Sequence, residues 1–249
     1  MQNWKMRVYN TYVSSLFGKT HKSDKREYIL QNRYFKKNYL KFMPKDKTCK
    51  ILDLGCGMGH MYYACKENGY LNYTGVDISV ENISFIEERW GDKANVKQAD
   101  MFQFLREKEC QFDVVIFNDV IEHLNKEEIF EVMDGIWKIL SNGGVLFIKT
   151  NNMANPFVNT SGRYICMDHE IGFTEKSMEQ LLITTGYSKF KIIGTNIYVV
   201  CPIIDQIAYV LSKLINIVLF LCSTLYGRTG IRIFEKDILA IAYKDYDEE

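Results

Sequence analysis

The amino-acid sequence predicts an α/β protein built on an open, mostly parallel sheet with helices on both faces. Strand-like and helix-like segments alternate five times between about residues 47 and 150. The segment FDVVIFND is apolar without alternation, which suits a strand covered on both sides. The first strand, CKILDLG, runs into the turn GCGMGH, whose glycines at 55, 57 and 59 let main chain approach something closely.

Each element has a local reason. Tyr28, Ile29, Tyr34, Phe35, Tyr39 and Leu40 recur at near-helical spacing and predict amphipathic helix ending before Pro44. After strand CKILDLG comes a helix from about Gly59 to Glu67. NYTGVDIS is a second strand with Asp77 at its carboxyl end, and Ser79 reads as the cap of helix SVENISFIEERW. NVKQAD is a short third strand and MFQFLREKE a helix. FDVVIFND is the fourth strand, KEEIFEVMDGIWKIL an amphipathic helix, SNGG its terminator, and VLFIKT the fifth strand. Residues 151–172 form a polar connection whose length fits a lid or binding loop. TEKSMEQLLITTGY is a helix, SKFKIIGTNIYVV a strand and KDILAIAYK the last strand. Between those last two lies an insert in which Ile204, Ile207, Leu211, Leu214, Val218 and Leu221 mark one stripe of a helix. The division expected is an N-terminal helical cap over 1–46 and a main domain over 47–249, with the hydrophobic insert at about 200–230.

With 249 residues and 47% hydrophobic content, the chain is long enough for one domain with a sizeable core. Thirty-one basic and 31 acidic side chains leave no global field to attract nucleic acid or an anionic surface. The seven cysteines are scattered, odd in number and without CxxC pairs, against both a disulfide framework and a structural zinc site. The N-terminus has no signal-peptide core. The longest apolar stretch, from Ile203, is broken by Asp205, Gln206, Lys213 and Asn216, and its cleanest run is nine residues, from Leu214 to Cys222. A spanning helix needs about 20. A cytoplasmic location is expected.

The glycine spacing separates the candidate ligands. A dinucleotide fingerprint places its last glycine three positions after the second, where this chain has His60. A phosphate-binding P-loop requires Gly-Lys-Ser/Thr, which is absent. ILDLGCGMG instead resembles the first motif of class I S-adenosylmethionine-dependent methyltransferases, apolar–Asp/Glu–x–Gly–x–Gly–x–Gly. VDIS, QADMF, FDVVIFNDVIEHL and FTEKSMEQLLITTGY resemble later segments of that family, in order. The resemblance covers roughly 47–199 and 235–244. It implies a Rossmann-like sheet in the order 3-2-1-4-5-7-6, strand 7 antiparallel, with S-adenosylmethionine over the carboxyl ends of strands one to four. It also implies a cofactor site from Asp53, Gly55, Cys56, Gly57 and Gly59, with Asp53 toward the ammonium. Asp77 and Ile78 would sit at the ribose, Asp100 and Met101 at the adenine, and Asn118 and Asp119 at the end of strand four.

Methyl transfer to a hydroxyl benefits from a base. Among the four histidines, His169 in CMDHEIGFT is the first candidate, since the family often has a histidine there facing the acceptor; His123 in IEHL is the second. His60 is expected to be structural, and His21 has too little context. Tyr12, Asp168 and Asn151 are candidate substrate contacts, and Tyr9, Tyr34 and Arg33 candidates to close over the cofactor. Asp119, Asp168 and Glu122 with one histidine offer ligands for magnesium; no metal is expected. Strand four lacks the Asn/Asp-Pro-Pro-aromatic signature of enzymes that methylate nucleobase amines. The layout resembles methyltransferases of bacterial surface polysaccharide pathways, which implies O-methylation of a sugar hydroxyl or sugar-linked phosphoryl group. A macromolecular acceptor, or a homologue that binds cofactor without catalysis, is the alternative. The insert at 203–224 offers a homodimer contact, a peripheral membrane contact or a cover for the sheet edge.

Overall fold

The computed structural model describes residues 5, 8, 24–107, 111–195 and 201–245. The expectations for Tyr9, Tyr12 and His21 lie outside the described residues.

The elements run α1 (Lys25–Asn38), β1 (Ile51–Leu54), α2 (His60–Glu67), β2 (Tyr73–Asp77), α3 (Val80–Trp90), β3 (Val96–Gln98), α4 (Met101–Glu107) and β4 (Phe112–Asn118). A single 3₁₀ turn, Ile121–His123, precedes α5 (Lys126–Ile139) and β5 (Leu140–Asn151). Then come α6 (Asn159–Tyr164), α7 (Glu175–Thr184), β6 (Lys189–Gly194), α8 (Pro202–Leu225) and β7 (Asp237–Tyr243). One seven-stranded sheet has the order β3-β2-β1-β4-β5-β7-β6. β1 to β5 pair in parallel, and β7 runs antiparallel between β5 and β6. The sheet order is the one that the motifs imply.

Strand periodicity sorts the core into two layers. Leu52 and Leu54 of β1, Val115 and Phe117 of β4 and Leu146 and Ile148 of β5 face α4, α5 and α7. Ile51, Val114, Ile116, Val145 and Phe147 face α1, α2 and α3. The N-terminal helix is therefore part of the fold: Phe35 and the following Tyr39 are fully buried in the second layer. The cap expected at Ser79 is present, and two capping boxes join it. Ser79 accepts from Asn82 N, and Asn125 with Glu128 and Thr174 with Ser177 close capping boxes.

Two boundaries differ from expectation. Residues 141–144, read as a helix terminator, lie inside β5. The helix ends at Ile139, and the strand takes up SNGG through a register shift opposite Phe112 and Val114, with Gly143 at φ 75. The insert is one unbroken 24-residue helix, and Ile203–Leu225 is long and apolar enough to cross a membrane by length and composition. A nine-residue run understated it, because Lys213 and Asn216 occupy single turns without ending the helix.

Candidate active site

The turn after β1 is held from below. Gly55 N and Cys56 N both donate to Val76 O, at 2.7 and 3.1 Å. Gly55 has φ 79, and a Cβ there would lie 2.4 Å from Val120 Cγ2. Gly59 has φ 78 and is closed in the same way by Trp90 and Ile86. Gly57 is different: its φ is 52, and a Cβ would meet nothing within 4 Å. Two glycines are thus required by the protein's own packing, and the middle one borders open space. Tyr28 of α1 fixes the turn by donating to Met58 O at 2.7 Å, and its ring stacks on His60 at 4.7 Å. His60 serves packing.

Asp77 closes the end of β2. Its Oδ2 accepts from Gly57 N and its Oδ1 from Ser79 N, both at 2.8 Å, with Asn82 Nδ2 at 3.3 Å. Burial raises its pKa, and these donors oppose the rise. Ile78 follows it, half-buried. Asp100 caps α4, accepting from Phe102 N and Gln103 N, with half-buried Met101 beside it.

Asp53 stands elsewhere than the resemblance implies. Strand alternation turns it to the same side as Ile51, 2% exposed, where the Tyr73 hydroxyl donates to it. Burial pushes its carboxyl up to about 7, against the Tyr73 hydrogen bond and helped by Asp77. It braces β1 against β2 beneath the turn.

At the end of β4, Asn118 Oδ1 accepts from the Tyr39 hydroxyl at 3.0 Å. Asp119 has φ 54, the only non-glycine positive φ among the described residues, and forms an ion pair with Lys149 Nζ at 2.5 Å. Such a backbone costs about 1–3 kcal/mol and persists where the surroundings enforce it. Lys149 is buried. Burial disfavours its charge, but Asp119, Tyr34, Asp237 and Tyr39 outweigh that and hold its pKa well above 10.5. Lys149 and Tyr39 were not singled out from sequence, although a lysine inside the apolar run VLFIKT is a visible signal. Arg33 goes to Asp205 of α8 at 2.6 Å, away from the turn. Tyr34 is in the Lys149 cluster.

The long connection delivers the second group of residues. Asn152 Nδ2 donates to Ile233 O and Glu235 O, Asn155 Nδ2 donates to Phe234 O, and Asn152 bridges Phe173. The returning chain then docks on the β4 turn, with Glu170 N and Ile171 N donating to Glu122 O. Arg163 clamps the carbonyls of His169 and Glu170. The result brings His169 against His123, ring centroids 4.5 Å apart at 77°. From the far N-terminus Lys5 reaches His123 O at 3.0 Å and pairs with Glu128 and Glu170, both at 2.8 Å. Asn151, half-buried at the end of β5, lies opposite Asp237.

The two imidazoles are pushed apart electrostatically. His123 Nδ1 lies 2.9 Å from Asp168 Oδ2, an ion-pair contact. Burial alone would lower His123, but Asp168, Glu122 and Asp119 outweigh it and lift it above 6.5. Burial also opposes the charge on Asp168, and His123 more than reverses this, holding it below 3.8. His169 is lowered by burial and by the charge of His123. Its Nδ1 lies 2.8 Å from Gly162 O. A carbonyl only accepts, so Nδ1 carries the hydrogen and Nε2 keeps its lone pair. Glu122, 3% exposed, is pushed to about 7 by burial and by Asp119, against His123. Glu122, His123 and His169 each bring a donor atom within 4.8 Å of the others, close enough to share a cation. This set differs from the one considered from sequence: Asp119 turns to Lys149 and Asp168 to His123.

Residues 25–191 match the family profile of a methyltransferase domain. The chain belongs to that family. The glycine turn and sheet order are those that the resemblance to S-adenosylmethionine-dependent methyltransferases implies. Among curated proteins it is similar to a mitochondrial ubiquinone biosynthesis O-methyltransferase of Rattus norvegicus, 30% identical over 109 residues, which are 41% of this chain and 31% of that protein. The chain thus matches only about a third of that relative's length. Among solved structures it is similar to a SAM-dependent methyltransferase from Archaeoglobus fulgidus, TM-score 0.63 and 22% identity over 87% of this chain and 94% of that one. It is also similar to a methyltransferase of Haloferax volcanii solved with the Trm112 activator, TM-score 0.65 and 14% identity over 97% and 99%.

Proposed function

We propose that this enzyme methylates an oxygen of a small hydroxylated acceptor, with His169 as the base. The observation that supports this most is the hydrogen bond of His169 Nδ1 to Gly162 O, which leaves Nε2 as the nitrogen able to accept a proton, with the His123 ring 4.5 Å away. S-Adenosylmethionine supplies an electrophilic methyl on a sulfonium. The residues here fit that donor: open space over Gly57 for close backbone approach, Asp77 for the ribose, and Asp100 with Met101 for the adenine. Asn118 and Asp119, with Cys56 beneath the turn, complete that end. His169 would take the acceptor proton at Nε2 as the oxygen attacks the methyl, which the sulfonium would release with the carbon–sulfur electron pair left on sulfur. Asp168 favours the charged form of His123, and burial together with that charge disfavours protonation of His169. Asn151, half-buried at the end of β5, is assigned to acceptor contact.

The acceptor we assign is a sugar hydroxyl or sugar-linked phosphoryl group of surface polysaccharide assembly, in a cytoplasmic setting. The O-methyltransferase among its relatives supports oxygen as the acceptor atom. The test is a mass-spectrometric screen of sugar nucleotides, phosphorylated sugars and lipid-linked sugars for gain of one methyl. Gain on a hydroxyl that disappears in His169→Ala supports the reading; methylation confined to protein or RNA would refute it. Exhaustive chelation leaves turnover unchanged if His169 acts alone. Loss on chelation, restored by a divalent cation, would assign the Glu122–His123–His169 cluster to a metal.

A further inference from the structure

Helix α8 is built inside out. A surface helix ordinarily turns its apolar stripe to the core and its polar side to water. In α8 the residues that face the domain are Asp205, Ala208, Ser212, Asn216, Leu219 and Ser223, spaced by three and four and mostly polar or small. Asp205 is 7% exposed and paired with Arg33, and neighbouring Lys213 pairs with Glu235 at 2.8 Å. The opposite side carries Ile204, Ile207, Leu211, Leu214, Val218 and Leu221, each between 47% and 57% exposed. Val210 and Ile217 widen this face.

We infer that α8 lies in the plane of a lipid bilayer, apolar face down, and seats the acceptor end of the sheet on the membrane. Three features select this occupant. The first is breadth: a partner helix packs on a narrow seam, whereas the apolar residues of this face spread over about 140° of the helix circumference along about 36 Å. The second is topology. β6 and β7 are adjacent in one sheet, with Gly194 opposite Ile238, so both ends of α8 return to one place. A spanning helix would drag residues 226–236 back through hydrocarbon, and they include Arg228, Arg232, Glu235 and Lys236. Arg232 N is already bonded to Glu175 on the domain. The third is the flank: exposed Tyr226, Arg228 and Arg232 follow the helix, the aromatic and basic residues that suit a headgroup layer.

The consequence concerns substrate. The chain enters α8 from the same end of the sheet as Asp77, Asn118 and Asn151, because Asn151 pairs with Asp237 where β7 begins. The acceptor oxygen therefore belongs to a molecule carried on a lipid, an inference that rests on the methyl-transfer reading above. The test is flotation of the full chain with vesicles of phosphatidylcholine, alone and mixed with phosphatidylglycerol. Wild type is expected to float with both, more strongly with the anionic mixture, and the triple variant Leu211→Ser/Leu214→Ser/Val218→Ser to partition at least tenfold less. Calorimetric affinity for S-adenosylmethionine, measured on both preparations, should be equal, which separates loss of the anchor from loss of the fold or the methyl-donor site. Wild type that stays unbound, or a variant that floats equally well, overturns the inference. A concentration-dependent dimer of wild type that does not float, made monomeric by the triple variant, would give the face to a second copy.

Discussion

The turn after β1 and the turn after β4 share one end of the sheet and are built on different principles. The first is made of main chain: Gly55 and Cys56 N–H groups on Val76 O, and Gly57 N–H on Asp77. The second is made of side chains that meet from far apart in sequence, such as Asp119 with Lys149, His123 with Asp168 and Lys5 with Glu128 and Glu170. A main-chain cradle admits few residue types. A side-chain network can be rebuilt for another acceptor while the cradle stays.

Gly55→Ala should have the largest effect and be confined to the first region. Its Cβ would overlap Val120 Cγ2 at 2.4 Å from a left-handed backbone, and such strain costs about 1–2 kcal/mol before the clash is counted. Donor binding should be undetectable by calorimetry, with a lowered melting temperature. Binding at wild-type strength would show that the turn tolerates a side chain.

His169→Ala probes the second region and should lower turnover by about 10²–10⁴-fold, the usual worth of a general base. In wild type, kcat/KM should rise with pH through the lowered pKa of His169, below 6.5, as the base form appears, and then level off. The coupled group titrates as a unit. A profile flat from acid to neutral pH would remove the base.

Asp77→Asn should weaken the donor about 10–100-fold, since a charged acceptor of the ribose hydroxyls becomes a neutral one. Turnover at saturating donor should change little.

Asp53→Asn touches stability. The folded pKa, about 7, lies above the ordinary 3.8, so the native state holds the proton more tightly than the unfolded chain. Wild type should therefore lose stability as pH rises from about 4 to about 7, by on the order of 1 kcal/mol or more, and level off above. The variant should lack that part of the slope in urea melts. Parallel curves would place the carboxylate in contact with water.

The difference between the regions also governs what the sequence makes legible. The glycine turn and the cap at Ser79 follow from residue types that a local backbone demands, so they can be read in order along the chain, and the strand order follows from the resemblance those motifs carry. Lys149, the Tyr39–Asn118 bond and the separation of the two histidines depend on partners brought together only by the sheet. Asp53 shows the limit of motif reading: its place in the motif is met, yet strand alternation buries its carboxylate under Tyr73. In α8 the apolar spacing was readable, but Arg33 on Asp205, across 172 positions, decides which side faces the domain.

The most direct measurement of this division of labour is the equilibrium affinity of S-adenosylhomocysteine for His169→Ala. Affinity equal to wild type, alongside lost turnover, is the result predicted for a cradle and an acceptor network that work separately. A loss of affinity as large as that of Asp77→Asn would contradict the account.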